Sequence, residues 1–209
     1  MSNNHNQILH VYKSRKNILT IMSGLGFDVD DYQSFSFNEI DAMFSNNQLD
    51  MLIENSDTKQ KTYIKYYPSK QIRPNVLDEI IEDLYYIENV LEKKDNLIII
   101  TEDEPNDSIL SKIKYLYDHD GIFVIVHNIK RLQYNMLNHH LVPTCDVLTE
   151  NEKTDFMKTY NINNATLQLP EISRFDPQAL VMCIRPGQVA KFTRKSITSL
   201  ETDYYRICI

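Results

Sequence analysis

Tryptophan is absent from this chain and glycine is scarce, with four in 209 residues. A loop that cradles phosphates needs glycine where the backbone must approach the ligand closely. Neither a glycine-rich loop nor a Gly-Lys-Ser/Thr run occurs, which argues against nucleotide hydrolysis. The three cysteines, Cys145, Cys183 and Cys208, are odd in number and widely spaced, with no Cys-x-x-Cys. That pattern fits neither a disulfide framework nor a zinc clasp, and predicts reduced, mostly buried thiols. Long apolar runs are also missing. Leu97–Ile100 and Ile122–Val126 are the longest, far short of the roughly 18 residues that cross a bilayer. The opening residues 1–7 are polar and lead into Lys13, Arg15 and Lys16, so no secretory leader is expected and the protein should stay inside the cell. His139 and His140 are adjacent, would point apart in extended chain, and have no ligand-spaced partner, so no metal or other cofactor is expected. Ser196 and Ser199 have no pattern linking them to a base, which leaves nucleophilic catalysis unsupported.

What is present is ordinary material for a core: 42% hydrophobic and 24% charged residues, with a net charge of −7. The length suits one domain or two. All of the excess acid lies in residues 1–137, and residues 138–209 are neutral. Within the first part, Lys59, Lys61, Lys65, Lys70 and Arg73 form a basic strip without an acid, followed by an acid-rich stretch from Asp78 to Asp107.

Apolar residues at helical spacing from Ile8 to Leu25 predict an amphipathic opening helix, stopped by Gly24 and Gly26. Met51–Ile53 and Lys61–Tyr67 read as a hairpin around Asn55-Ser56-Asp57. Pro74 opens a long helix whose buried face is Leu77, Ile80, Ile81, Leu84, Ile87 and Leu91. A strand at Leu97–Ile100, a helix with Ile109, Leu110, Ile113 and Leu116, and a strand at Ile122–Val126 then form a crossover unit. Continuous apolar strands of this kind suit a sheet covered on both faces. Asn128–Asn138 is poorly periodic, and a boundary is placed after Leu137. Beyond it, Thr149 and Glu152 fit a capping box for a helix to about Tyr160, and Asp176-Pro177 caps a short one through Val181. Arg185-Pro186-Gly187 is a turn before strands Gln188–Arg194 and Tyr204–Ile209. The expected fold is therefore an α/β N-terminal domain, a mixed sheet with flanking helices over residues 1–137, followed by a small α+β domain over residues 138–209.

The tail carries a resemblance. Leu141-Val142-Pro143, Leu169-Pro170-Glu171-Ile172, Asp176-Pro177-Gln178-Ala179, Arg185-Pro186-Gly187-Gln188-Val189, Arg194-Lys195-Ser196 and Tyr205-Arg206-Ile207-Cys208 stand in the order and near-spacing of one family. It resembles the small component of multisubunit DNA-directed RNA polymerases called the fifth subunit in eukaryotes, whose archaeal counterpart consists of the tail domain alone. Gly26-Phe27 and Gly121-Ile122-Phe123-Val124 extend a weaker likeness to the eukaryotic N-terminal jaw domain. Glu171, Cys145, Cys183-Ile184 and a short insertion over Asn161–Gln168 depart from the family pattern and put local contacts there in question.

The resemblance implies a non-catalytic polymerase subunit. Its tail is an assembly domain that docks on the largest subunit through Leu141, Val142, Pro143, Leu169, Pro170, Asp176, Pro177, Arg185, Pro186, Gly187, Arg194, Tyr205 and Arg206. Its jaw domain borders downstream DNA, with Lys59, Lys61, Lys65, Lys70 and Arg73 nearest the duplex. An acidic chain holds DNA weakly and only inside the complex. A small tail domain without disulfide or metal has a core worth only about 3 to 5 kcal/mol, an independent reason to expect a covering partner. The alternative is a Mg²⁺-dependent phosphodiesterase built on Glu102, Asp103, Glu104 and Asp107 after the Leu97 strand. Frequent Asn, Ile, Lys and Tyr, with a tail nearer the family than the jaw, resemble the copies carried by large DNA viruses, which act in host cytoplasm or virion; a nuclear protist enzyme is the other source considered.

Overall fold

Helix α1 (Ser2–Gly24) buries Ile8, Val11, Ile18 and Met22, with Arg15 in the same stripe. The computed structural model describes residues 2–67 and 72–209, without the side chains of residues 2–5. Gly26 follows the helix at φ 84°, a left-handed conformation that costs glycine little, and reverses the chain. Strand β1 (Phe27–Asp28) and helices α2 (Asp30–Gln33) and α3 (Phe37–Ser45) come next. None of the three was expected. Yet the signal for α3 stands in the sequence: Ser36 Oγ accepts the amide of Glu39, whose carboxylate accepts the Ser36 amide at 2.7 Å, a complete capping box.

Strands β2 (Met51–Asn55) and β3 (Lys61–Tyr66) form the expected antiparallel hairpin. Asn55 holds its turn by accepting the amides of Asp57 and Thr58 and donating to the Leu25 carbonyl. After β3, helix α4 (Pro74–Ile81) leads to β4 (Asn96–Thr101), and α5 (Asp107–Tyr115) leads to β5 (Phe123–Asn128). The sheet order is β1-β2-β3-β4-β5, antiparallel through β3 and parallel from β3 to β5. Every residue of β4 and β5 is buried. Successive side chains point to opposite faces, so both faces of these strands are covered, as their unbroken apolar runs require. Asp95, also buried, accepts the amides of Lys61 and Glu92 and so fixes the starts of β3 and β4 together.

The long helix expected from Pro74 to Leu91 is shorter. After Ile81 the chain widens into a π-helical turn over Glu82–Ile87, closed by the Glu88 amide on the Asp83 carbonyl at 2.8 Å. A wider turn rotates the residues beyond it out of the α-helical register. Ile87, expected on the buried face, is 66% exposed, and Leu91 is buried from the loop after the turn. Helix α5 also runs into a π turn, Leu116–Asp120, ended by Gly121 at φ 72°.

Contacts divide the chain into residues 1–135 and 136–209. In the second unit, β6 (Thr144–Val147) precedes α6 (Glu150–Thr159), α7 (Ala165–Gln168), β7 (Glu171–Ile172), α8 (Pro177–Val181), β8 (Val189–Ser196) and β9 (Leu200–Cys208). The sheet order is β6-β8-β9-β7. The Thr149–Glu152 capping box and the Asp176 cap are both made. On one face Ile172, Ala179, Ile184, Ala190, Phe192 and Cys208 form the core. Tyr205 meets Phe156 of α6, with ring centroids 4.1 Å apart. Strand β9 begins at Leu200, four residues before the expected start, because the polar stretch Glu201–Asp203 pairs with β8 although neither of its faces is apolar. The architecture is mixed α/β with two sheets, and among the described residues no helix is long and apolar enough to cross a membrane.

His127 on β5 supplies a pH test. Burial, and secondarily Arg131, lower its pKa to about 4. The unfolded chain, with an ordinary imidazole near pH 6.5, binds the extra proton first. The stability His127 contributes is therefore complete above about pH 6.5 and is lost as pH falls toward 4, by roughly 3 kcal/mol. Urea midpoints of the wild type should fall across that window, and His127→Gln should remove this part of the slope.

Candidate functional site

The residues singled out in the tail separate into distinct places in the second unit. Leu141, Val142 and Pro143 join Arg194 along a groove of about 420 Å³ that Thr144, Thr193 and Lys195 continue. Leu141 is 76% exposed there, an aliphatic side chain with little covering it. Pro143 is tied to α8, because its carbonyl accepts from Gln178 Nε2 at 2.8 Å, and Asp176 Oδ1 caps the same helix by accepting the Gln178 amide. Leu169 and Pro170 lead into β7, with the Pro170 carbonyl accepting the Ile207 amide. Arg185-Pro186-Gly187 forms the turn into β8. Gly187, at φ 87°, donates its amide to the Cys208 carbonyl, and its own carbonyl accepts from Lys153 Nζ. Tyr205 lies against Phe156 of α6, while Phe192, Arg194 and Arg206 gather around Tyr204: the Arg194 guanidinium sits 4.0 Å from its ring centroid.

Two features of the β8–β9 hairpin were not foreseen. The first is an open edge. Ile207 and Ile209 turn their amides toward the Pro170 and Ile172 carbonyls, and the strand alternation turns those of Asp203 and Tyr205 the same way. Strand β7 reaches only Ile207 and Cys208, so that edge has no strand beside it among the described residues. The second is the tip, where Ile197 is 104% and Leu200 83% exposed. Leu200 has φ 62°, a left-handed conformation costly for a residue with a branched side chain. Neither position forms part of an apolar period, so composition alone gave no sign of them. On the outer face the hairpin is held by Lys191 Nζ to Asp203 Oδ2 at 2.8 Å, and hydrogen bonds from Lys191 and Thr193 lower the Asp203 pKa.

The basic strip of the first unit is partly neutralised. Lys59 pairs with Glu54 at 3.6 Å, and Lys65 with Asp50 at 3.2 Å. Lys61 lies opposite Glu54 across the β2–β3 pair, and Arg73 is exposed at the start of α4. Lys70 lies outside the described residues.

The acidic loop after β4 does not assemble a metal site. Glu102 accepts from Gln7 Nε2 at 2.6 Å, Glu104 pairs with Arg131 at 2.8 Å, and Asp107 begins α5. Among the described residues no three His, Cys, Asp or Glu side chains converge in a way that would hold a cation. The paired histidines do not point apart, as extended chain would have them. His139 closes a turn on the Met136 carbonyl, and the two rings lie 4.7 Å from each other.

Comparison with known proteins gives a family model described as the C-terminal domain of RNA polymerase Rpb5, matching residues 134–208. The chain is 36% identical over 77 residues to the DNA-directed RNA polymerase subunit Rpo5 of Thermococcus kodakarensis, covering 37% of this chain and 92% of that protein. It is 35% identical over 78 residues to the Archaeoglobus fulgidus subunit of the same name, 37% of this chain and 100% of that one. The DNA-directed RNA polymerase V subunit 5A of Arabidopsis thaliana is 25% identical over 186 residues, 86% of this chain and 79% of that protein.

The three thiols are free, and burial raises Cys145 and Cys183 to about 12 and Cys208 to about 11. The thiolate is the reactive species. Iodoacetamide at pH 8 should therefore leave the native chain almost unmodified over minutes, and the same reagent in urea should alkylate all three cysteines, as read by intact-mass spectrometry.

Proposed function

The chain belongs to the fifth-subunit family of DNA-directed RNA polymerases, and from that premise we propose that it is a non-catalytic component whose C-terminal unit docks on the largest subunit. What carries the reading is the span of the match: the archaeal proteins correspond over nearly their whole length to the tail that forms the second sheet. In that tail, the groove along Leu141–Pro143 and Arg194 supplies apolar contact and a cation, and the uncovered edge of β9 supplies backbone donors and acceptors for an added strand. Tyr205 and the Arg185–Gly187 turn would extend the interface on other parts of the unit.

The N-terminal unit is read as a jaw domain beside the entering duplex. With Lys59 and Lys65 already paired to acids, Arg73 has the strongest claim among the described cations to a phosphate contact. Nucleotide addition belongs, on this reading, to the large subunits, and the chain shares their compartment: host cytoplasm or virion for a viral copy, nucleus otherwise.

Co-expression with the largest subunit of the same polymerase tests the docking. Residues 138–209 should co-purify and residues 1–137 should not; retention of only the N-terminal piece would show the assignment to be wrong. In the full chain, Leu141→Asp with Arg194→Glu should cut recovery by about tenfold or more, the loss expected when an interface contact is replaced by repulsion. Arg73→Glu should leave assembly intact and weaken only salt-sensitive DNA engagement of the assembled enzyme.

A further inference from the structure

A cavity of about 570 Å³ opens in the N-terminal unit where its parallel strands end. Tyr66 ends β3 and Tyr67 follows it, Ile100 and Thr101 end β4, and Ile129 follows β5. Val11 of α1, Phe44 of α3 and Leu49, just before β2, complete the apolar walls. In open α/β sheets, ligands settle in the crevice outside the carboxyl ends of the strands.

The polar groups that border this cavity are largely spent on one another. Asp50 accepts from the Tyr63 hydroxyl, Lys65 Nζ and the Tyr66 amide at 3.0 to 3.2 Å. The Tyr66 hydroxyl meets Ser14 Oγ at 3.2 Å, Thr101 Oγ1 donates to the Asp103 carbonyl at 2.8 Å, and Glu102 accepts from Gln7 Nε2. Backbone groups are engaged in the same way. The Leu49 carbonyl accepts from Arg15 Nη1 at 2.7 Å, the Tyr67 amide donates to the Ile100 carbonyl, and the Ile129 amide donates to the Thr101 carbonyl. Among the remaining polar side chains, His10, Asn47 and Lys130 are exposed, and Asp103 is half-buried. What the walls still lack is apolar contact, above all on the half-buried rings of Phe44, Tyr66 and Tyr67.

The charges in the lining disfavour an ion of either sign. Asp50, Glu102 and Asp103 outnumber Lys65 and Lys130, so an anion gains no net attraction, and a cation meets two acids that are already engaged. Burying an ion without a partner is costly, whereas an uncharged apolar body is favoured by the area it removes from water. Size also selects. Cavities of this volume enclose a whole small molecule. One side chain of another polypeptide would leave much of it empty, and an unfilled void forfeits packing contacts. Three aromatic walls suit a flat ring packed offset or edge-on against them.

We propose that this cavity binds a small uncharged aromatic molecule, of about the size of an indole, as a free ligand. The site lies within the N-terminal unit and does not depend on the docking assigned to the C-terminal unit.

Methyl-resolved ¹H–¹³C NMR of the full chain tests it through Val11, Leu49, Ile100 and Ile129. The probes share one ring system: indole-3-acetamide, its anionic counterpart indole-3-acetate, its cationic counterpart tryptamine, and the blocked peptide acetyl-Ala-Trp-Ala-amide. The acetamide should shift the methyl resonances of those four residues, leave those of Ile172 and Ile184 in the C-terminal unit in place, and bind at least about tenfold more tightly than either ion or the peptide. His10→Trp sets a bulky ring at an exposed helical position bordering the cavity and should weaken the acetamide by about tenfold. No shift with the acetamide, shifts confined to methyls outside the cavity, equal binding of the acetamide and the ions, or an affinity unchanged by His10→Trp would each overturn the site. Binding of the peptide as tightly as the acetamide would overturn the free molecule as its occupant.

Discussion

The β8–β9 hairpin pairs over eight positions, and a sheet unit of this size has too little else with which to cover it. Only the proximal part, from Val189 to Phe192 and from Tyr204 to Cys208, reaches the core or α6; the remainder extends beyond both layers. A two-stranded ribbon without a hydrophobic face is marginal alone in water. What steadies it is lateral: the Lys191–Asp203 pair on one side and the Arg194–Tyr204 stack on the other. Exposed ion pairs contribute little to stability and cation–π contacts somewhat more. The hairpin is thus a ribbon held in shape but not enclosed, and its bare edge, its aliphatic tip and the groove beside it result from that one shortage of covering surface.

The first unit meets the opposite problem. Strands β4 and β5 have no polar face to show, so helices must close over both sides. Once they do, polar groups carried inward with them need partners, and most find one: Asp95 takes two amides, Asn96 donates to Thr62 Oγ1, and Ser14 donates to the Val11 carbonyl. Arg15 is the conspicuous exception, half-satisfied in a region otherwise well matched.

Much of this layout could be read from residues. The glycine stop after α1, the hairpin at Asn55, the apolar strands and the caps at Thr149 and Asp176 are local signals, and each gave the observed element. The misses have physical reasons too. Ile87 fits a 3.6-residue period that the chain abandons at Glu82, and nothing in side-chain periodicity announces a π turn. Strand β7 has two residues and exists only because β9 passes beside it, a tertiary cause. Capping by Ser36 was as legible as capping by Thr149, and Phe37, Ile40 and Phe44 stand at helical spacing behind it, so α3 was within reach of the residues alone. Arg15 shares the register of Val11, Ile18 and Met22, so its burial was implied by the same stripe that predicted the helix. What it lacks as partner is a property of the folded neighbourhood and appears only there.

The two π turns bear on how such a chain changes over generations. A π turn holds one residue more than an α turn, so a helix that ends in one can gain or lose a residue there while its earlier turns keep their register. The helix of each crossover in the parallel sheet ends in such a turn, at Glu82–Ile87 and Leu116–Asp120. Single-residue insertions and deletions there are taken up as local widening or tightening, and the pairing of β3, β4 and β5 is untouched. The N-terminal unit can therefore drift in length and wording while its sheet stays in step.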